Sequence, residues 1–247
     1  TRRSSDLLTF SLILTGCITS TPTKEIGETE TTSVEEEETS APLDDANGEQ
    51  AKVIETVPGR IVISELLPGV PGNNNREFIE LYNAGTEPVN LRGWSLWYKL
   101  ADNQEEKRVI LWSRRADVPG YGHYLLVREG QEIDVVPDMR FEVPLFERKG
   151  GLVLRNAEDE VVDALGWGEA PAGFVEGDPA PYPTDGASLA RRPGGDAWPT
   201  VDATFRDRDN NAADFGLLQP PYPQGTGSPI TPLPEQRLMI RATAPEQ

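Results

Sequence analysis

Short runs of β-branched and aromatic residues, cut apart every roughly 8–20 residues by proline, glycine and asparagine, restrict this chain to extended structure. The clearest case spans Arg60 to Ala84. Ile61-Val62-Ile63 and Phe78-Ile79-Glu80-Leu81-Tyr82 suit a pleated, half-buried surface, and the run from Pro68-Gly69 to Asn73-Asn74-Asn75 between them consists of turn formers. Further strands are expected at Asn90–Lys99, where Trp94, Leu96 and Tyr98 share one face and Trp97 takes the other, and at Arg108–Trp112 and Gly122–Val127. Gly151–Asn156 and Val161–Trp167 flank the turn-like Ala157-Glu158-Asp159-Glu160 and read as a hairpin. Residues 168–187 read as a long surface loop and Ser188–Arg192 as a short strand. No stretch of helical spacing is free of proline and glycine over about 12 residues. The expected fold is all-β, an immunoglobulin-like antiparallel β-sandwich.

The ends are different in kind. Arg2-Arg3, the apolar Leu7–Leu14 and Thr15-Gly16-Cys17 follow the plan of a secretory signal, and the run is too short for a mature transmembrane helix of roughly 20 residues. Residues 18–57 lack apolar periodicity, and eleven acids against Lys24 and Lys52 leave −9, half of the −18 carried by the whole chain. Such a segment reads as a disordered acidic tether. The expected organisation is a signal peptide over 1–17, the tether over 18–57, the sandwich over 58–218 and a Pro-rich exit tail over 219–247.

A net charge of −18 argues against nucleic acid, because no basic field is present to displace phosphate counterions. With one cysteine and one histidine, an internal disulfide and a Cys/His metal site are excluded.

Leu14-Thr15-Gly16-Cys17 resembles the lipobox of bacterial lipoproteins, which implies lipid attachment at Cys17. The ordered set Ile63-Ser64-Glu65, Glu77–Asn83, Leu91-Arg92-Gly93-Trp94-Ser95-Leu96, Tyr124–Val127, Leu152-Val153-Leu154, Val162–Gly168, Ser188–Arg191 and Asp209–Phe215 resembles the lamin tail domain in its bacterial, secreted form. That resemblance implies an immunoglobulin-like binding or adhesion module. The long, proline-rich insert at 168–187 departs from the family pattern.

Glu65 and Glu80 are strand carboxylates able in principle to form an acid/base pair, but backbone donors or arginine partners at a sheet edge explain them as well. His123 has neither a nucleophile elbow nor a second histidine beside it, and reads as a surface or strand-start residue. Asp207, Asp209, Asn211 and Asp214 have the alternate oxygen spacing that Ca²⁺ favours, yet Ala212 stands where an EF-hand loop needs glycine; Asx turns and caps account for the same residues. Trp94, Trp97, Trp112, Trp167 and Trp198 serve either as core or, Trp97 above all, as a sugar-stacking patch. The resulting expectation is a non-enzymatic lipoprotein of the bacterial cell envelope, with no catalytic residues, metal or cofactor. It would be held to the membrane through lipid on Cys17 and meet a protein or glycan ligand. The alternatives are an accessory domain or weak hydrolase of the envelope, or a calcium-stabilised carbohydrate-binding module.

Overall fold

Alternation along each strand decides which side faces the core. In Phe78–Asn83 (β2), Ile79 and Leu81 enter the main hydrophobic cluster while Phe78, Glu80 and Tyr82 point the other way. The computed structural model describes residues 58–69, 76–184, 186–192 and 207–231. Cys17, the acidic tether, the turn residues at 70–75, Trp198 and the last residues of the Pro-rich tail lie outside them.

Two sheets enclose one core. Strand β2 lies between Ile61–Leu67 (β1) and His123–Arg128 (β7) in a six-stranded sheet. Beyond β1 come Ser188–Arg191 (β11) and the edge strand Phe215–Leu218 (β12); beyond β7 lies Met139–Phe141 (β8), the only parallel neighbour in this sheet. The facing sheet runs Val161–Gly168 (β10), Lys149–Arg155 (β9), Ser95–Lys99 (β4), Lys107–Leu111 (β5), all antiparallel. Val89–Asn90 (β3) and Asp117–Val118 (β6) pair separately. Leu66, Ile79, Leu81 and Leu126 from the first sheet pack with Leu96, Tyr98, Leu152, Leu154 and Leu165 from the second. This is the expected immunoglobulin-like sandwich. Among the described residues no helix is long and apolar enough to cross a membrane.

The predicted hairpin forms as β9 and β10, with Asn156 Oδ1 accepting from the Glu158 and Glu160 amides at 3.0 and 2.9 Å. Leu96 and Tyr98 face the core with Trp94 packed against it, whereas Trp97 lies on the opposite face beside Val153, Ala164 and Phe174. The short strands β3, β6 and β8 have too few residues to show a period and were not legible in the sequence.

Residues 169–180, expected to form a surface loop, fold down onto the outer face of the second sheet. Gly168 N–H donates to Ala180 O at 2.9 Å, Ala180 N–H returns to Gly166 O at 2.8 Å, and Phe174 is 5% exposed. The loop approaches this closely because Gly151 has no side chain: a Cβ there would stand 2.3 Å from the Phe174 carbonyl oxygen. Gly151→Ala is therefore expected to lower unfolding free energy by about 1–3 kcal/mol, read as a lower urea midpoint; an unchanged midpoint would show that the loop is not seated.

Candidate functional site

The ionisable residues singled out above fall into two groups, and a separate cleft lies at one end of the sandwich.

The first group joins the sheets. Strand β1 bulges between Ile63 and Glu65, and its pairing with β11 includes Glu65 and Leu66 but not Ile63. Side chains supply the missing partners. Asp163 on β10 accepts from the Ile63 N–H at 2.6 Å, and Arg191 on β11 donates through Nε to Ile63 O at 2.9 Å. One Arg191 nitrogen is shared between both Asp163 oxygens at 2.7 and 2.8 Å, with the two side chains 0% and 1% exposed. The Arg191 guanidinium also sits 4.6 Å from the centre of the Phe215 ring. Burial pushes the Asp163 carboxyl upward, and the Arg191 charge and the Ile63 amide act against it.

The Asp207–Asp214 loop closes over this clamp, and its oxygens are divided rather than gathered. Asp207 pairs with Arg60 and lies 3.5 Å from Arg191. Asn211 Oδ1 accepts from Gly166 and Glu176 amides at 2.8 and 3.1 Å while its Nδ2 donates to Ala164 O at 2.8 Å, so one side chain pairs with the edge of β10 as a further strand would. Asp214 Oδ2 accepts from the Arg208 and Asn210 amides, and Asn210 caps the short helix Asn211–Asp214 (α1) at Ala213. The four-ligand calcium arrangement is thus replaced by arginine pairs, an edge cover and caps. The carboxylates that do approach one another, within 4.8 Å, are Asp163, Glu176 and Asp207. Arg191 and Arg60 already supply the positive charge there. Desolvation first, then the Asp163 charge, pushes Glu176 up to about 7.

The second group lies on the outer face of the six-stranded sheet, in its middle and not at an edge. Glu65 and Glu80 are cross-strand partners on β1 and β2, 4% and 3% exposed. Among the described residues their partners include no arginine. Glu65 Oε1 accepts from the Ser188 hydroxyl and from the Tyr222 N–H at 3.0 Å. Glu80 accepts from Ser64 Oγ at 2.6 Å and from the Gln224 N–H at 2.6 Å, with His123 Nδ1 2.9 Å away. His123 starts β7 as expected but is buried, not on the surface, and its Nε2 lies 3.4 Å from the Thr231 hydroxyl.

The cover over this group is the segment 219–231. In Pro220-Pro221-Tyr222-Pro223-Gln224 the only two main-chain N–H groups belong to Tyr222 and Gln224, and each is taken by a buried glutamate. Asp138 accepts from Thr226, and the Thr231 carbonyl accepts from the Tyr82 hydroxyl. The first part of the predicted exit tail is therefore a strap. Its signal in the sequence was the outward-facing Glu65, Glu80 and His123, three polar groups on central strands that require a cover carrying donors.

Burial first, then the Glu80 charge, pushes Glu65 from 4.5 up to about 8. The folded protein therefore holds a proton that the unfolded chain has released, so the stabilisation is whole below about pH 4.5 and is lost as pH rises to about 8. Urea midpoints are expected to fall across that window. Glu65→Gln, whose amide oxygen accepts the same bonds without needing the proton, should flatten the upper part of the profile; an unaltered profile would show that Glu65 does not carry it. Asp163→Ala leaves Arg191 buried without its main counter-charge and should cost about 3–5 kcal/mol, with a double-mutant cycle to Arg191→Met showing strong coupling.

The cleft, about 570 Å³, opens between the β4–β5 connection and residues 142–148. Glu77 is among its lining residues, paired with Arg128 and accepting from the Leu145 amide at 3.0 Å. Tyr98, Leu100, Lys107 and Phe146 contribute to the walls. No candidate residue from the sequence other than the motif residue Glu77 and the strand residue Tyr98 lies here. Leu100 and Phe146 carry no local pattern that would have marked them.

The tryptophans separate cleanly. Trp112 and Trp167 are fully buried, and Trp94 is packed against the core. Trp97 is flanked by the guanidiniums of Arg108 and Arg155, 5.8 and 5.1 Å from its ring centre, and so carries cationic partners where a sugar-stacking ring would be bare.

Residues 54–169 match the Lamin Tail Domain family. No curated protein matches the chain. Among solved structures, a DUF4876 family protein from Bacteroides thetaiotaomicron VPI-5482 aligns over 72% of this chain and 75% of its own, at 12% identity and a TM-score of 0.45.

Proposed function

We propose that this chain, which carries a lamin tail domain over residues 54–169, is a membrane-anchored lipoprotein of a bacterial cell envelope that binds a ligand and catalyses nothing. The lamin tail domain is an immunoglobulin-like, non-enzymatic module. One observation carries the reading to this chain. The acids that could serve chemistry are occupied inside the fold, Glu65 and Glu80 beneath the strap and Asp163 against Arg191, while the cleft beside Phe146 is open and lined by both apolar and polar side chains. A hydrolase of the envelope would need a convergent acid/base pair in such a cleft. Glu77 there already faces Arg128 and the Leu145 amide.

The anchor rests on Leu14-Thr15-Gly16-Cys17. A thioether-linked diacylglycerol and an amide-linked chain on Cys17 give stable attachment where one acyl chain would be marginal. The like-charged segment of about 40 residues after it would hold the domain away from the bilayer.

Fractionation of cells expressing the full chain should find it in the membrane, with mass spectrometry showing an acylated Cys17 at the mature N-terminus. Cys17→Ala should move it to the soluble or secreted fraction. A Cys17→Ala protein that stays with the membrane, together with an unacylated native N-terminus, would defeat the anchor.

A further inference from the structure

Phe146 is a large apolar side chain held in the open by two buried aromatic residues. Its N–H donates to the Tyr98 hydroxyl oxygen at 3.1 Å, and its carbonyl accepts from Trp167 Nε1 at 3.0 Å. Tyr98 and Trp167 are themselves stacked, 6.1 Å between ring centres at 18°, and both belong to the core. The main chain of Phe146 is thus fixed from below while its side chain remains 47% exposed at the cleft wall. Such an exposed, pre-positioned ring is a ready apolar platform.

The charges around it are nearly balanced. Glu77 is paired with Arg128, and Glu147 with its neighbour Arg148 just outside the lining, leaving Glu105 and Lys107 of opposite sign. A dedicated ion site would show a net field of one sign, and this cleft has none. A wholly apolar ligand would strip water from Arg128 and Gln104 and return no hydrogen bonds. Tyr98, whose oxygen accepts from Phe146, keeps its hydroxyl hydrogen for another acceptor, and burial raises its pKa so that it stays a donor. What fits is a molecule with a C–H face for the ring and many hydroxyls that each donate and accept. The volume of about 570 Å³ lies within the range of small-ligand clefts.

We infer that this cleft binds a neutral saccharide, with Phe146 stacking against a sugar ring and Tyr98, Gln104 and Arg128 meeting its hydroxyls. The inference rests on the reading of the domain as a binding module and names its ligand class.

The full chain is tested by saturation-transfer NMR and calorimetry against cellobiose, maltose, lactose and chitobiose, with digalacturonate and a mixed tripeptide pool as charged and peptide probes. At least one neutral disaccharide should bind with Kd near about 1 mM. Phe146→Ala should weaken it about tenfold or more, Phe146→Tyr should retain it, and Trp97→Ala, on the opposite face of β4, should leave it unchanged. Thermal melts of each variant confirm folding before the comparison. The inference is overturned by no neutral disaccharide binding at about 10 mM, by binding that survives Phe146→Ala, by binding that depends on Trp97, or by a preference for digalacturonate or peptide. These outcomes are separate from the anchor: an acylated, membrane-bound protein that ignores neutral saccharides refutes the ligand class alone, and a soluble protein that binds them refutes the anchor alone.

Discussion

At the bulge in β1, the amide and carbonyl of Ile63 are met by Asp163 and Arg191, and much of the sandwich depends on that substitution. Buried main-chain polar groups have to be matched, and a bulge takes them out of the ladder. Here the match comes from the facing sheet and from the next strand at once, so the same three residues repair the bulge and tie the sheets together. The arginine is wholly enclosed and rests on Phe215, which makes the closing strand β12 part of the arrangement. The Asp207–Asp214 loop belongs to it as well: Asp207 stands beside Arg191, and Asn211 covers the edge of β10 just past Asp163. In this acidic, asparagine-rich loop, arginines reach Asp207 and main-chain amides reach Asn211 and one oxygen of Asp214, so these side chains fasten the loop down.

The outer face of the first sheet follows the same logic with a different donor. Strands β1 and β2 are buried on both sides, so the polar residues they turn outward need partners that a solvated face would have taken from water. A proline-rich segment meets that need economically. Its Pro220–Gln224 part has only two N–H groups, and it presents one to Glu65 and the other to Glu80. The arrangement leaves two carboxyls close together and away from water, which is why Glu65 holds its proton far above the ordinary range. Its perturbed acidity reports burial beside a like group, a structural cause and not a catalytic one.

The cleft has another origin. Tyr98 and Trp167 fill the core with their rings and direct their polar atoms to the main-chain N–H and carbonyl of one residue, Phe146. Aromatic residues with a polar handle suit a position where the core meets the surface. The consequence is an apolar ring displayed on a rigid base, whereas Trp97, on the outer face of the second sheet, is flanked by two arginines.

The alternation in Phe78–Asn83 and Ser95–Lys99, with the turn chemistry at Asn156–Glu160, was enough by itself to mark the longer strands, to separate the two faces of each and to give the sandwich class, because a side-chain period of two is local and survives any arrangement of the strands. It also separated Trp97 from Trp94. Tertiary structure alone decided what the polar residues meet. Ile63 and Asp163 are 100 residues apart, Glu65 and Tyr222 are 157, and nothing in either neighbourhood specifies the other. The strap, the shared clamp and the displayed Phe146 all depend on such distant pairs. A sequence pattern separates the two sides of a strand; which side is inside, and which donor reaches a buried carboxylate, is settled only when the sheets close and water is excluded.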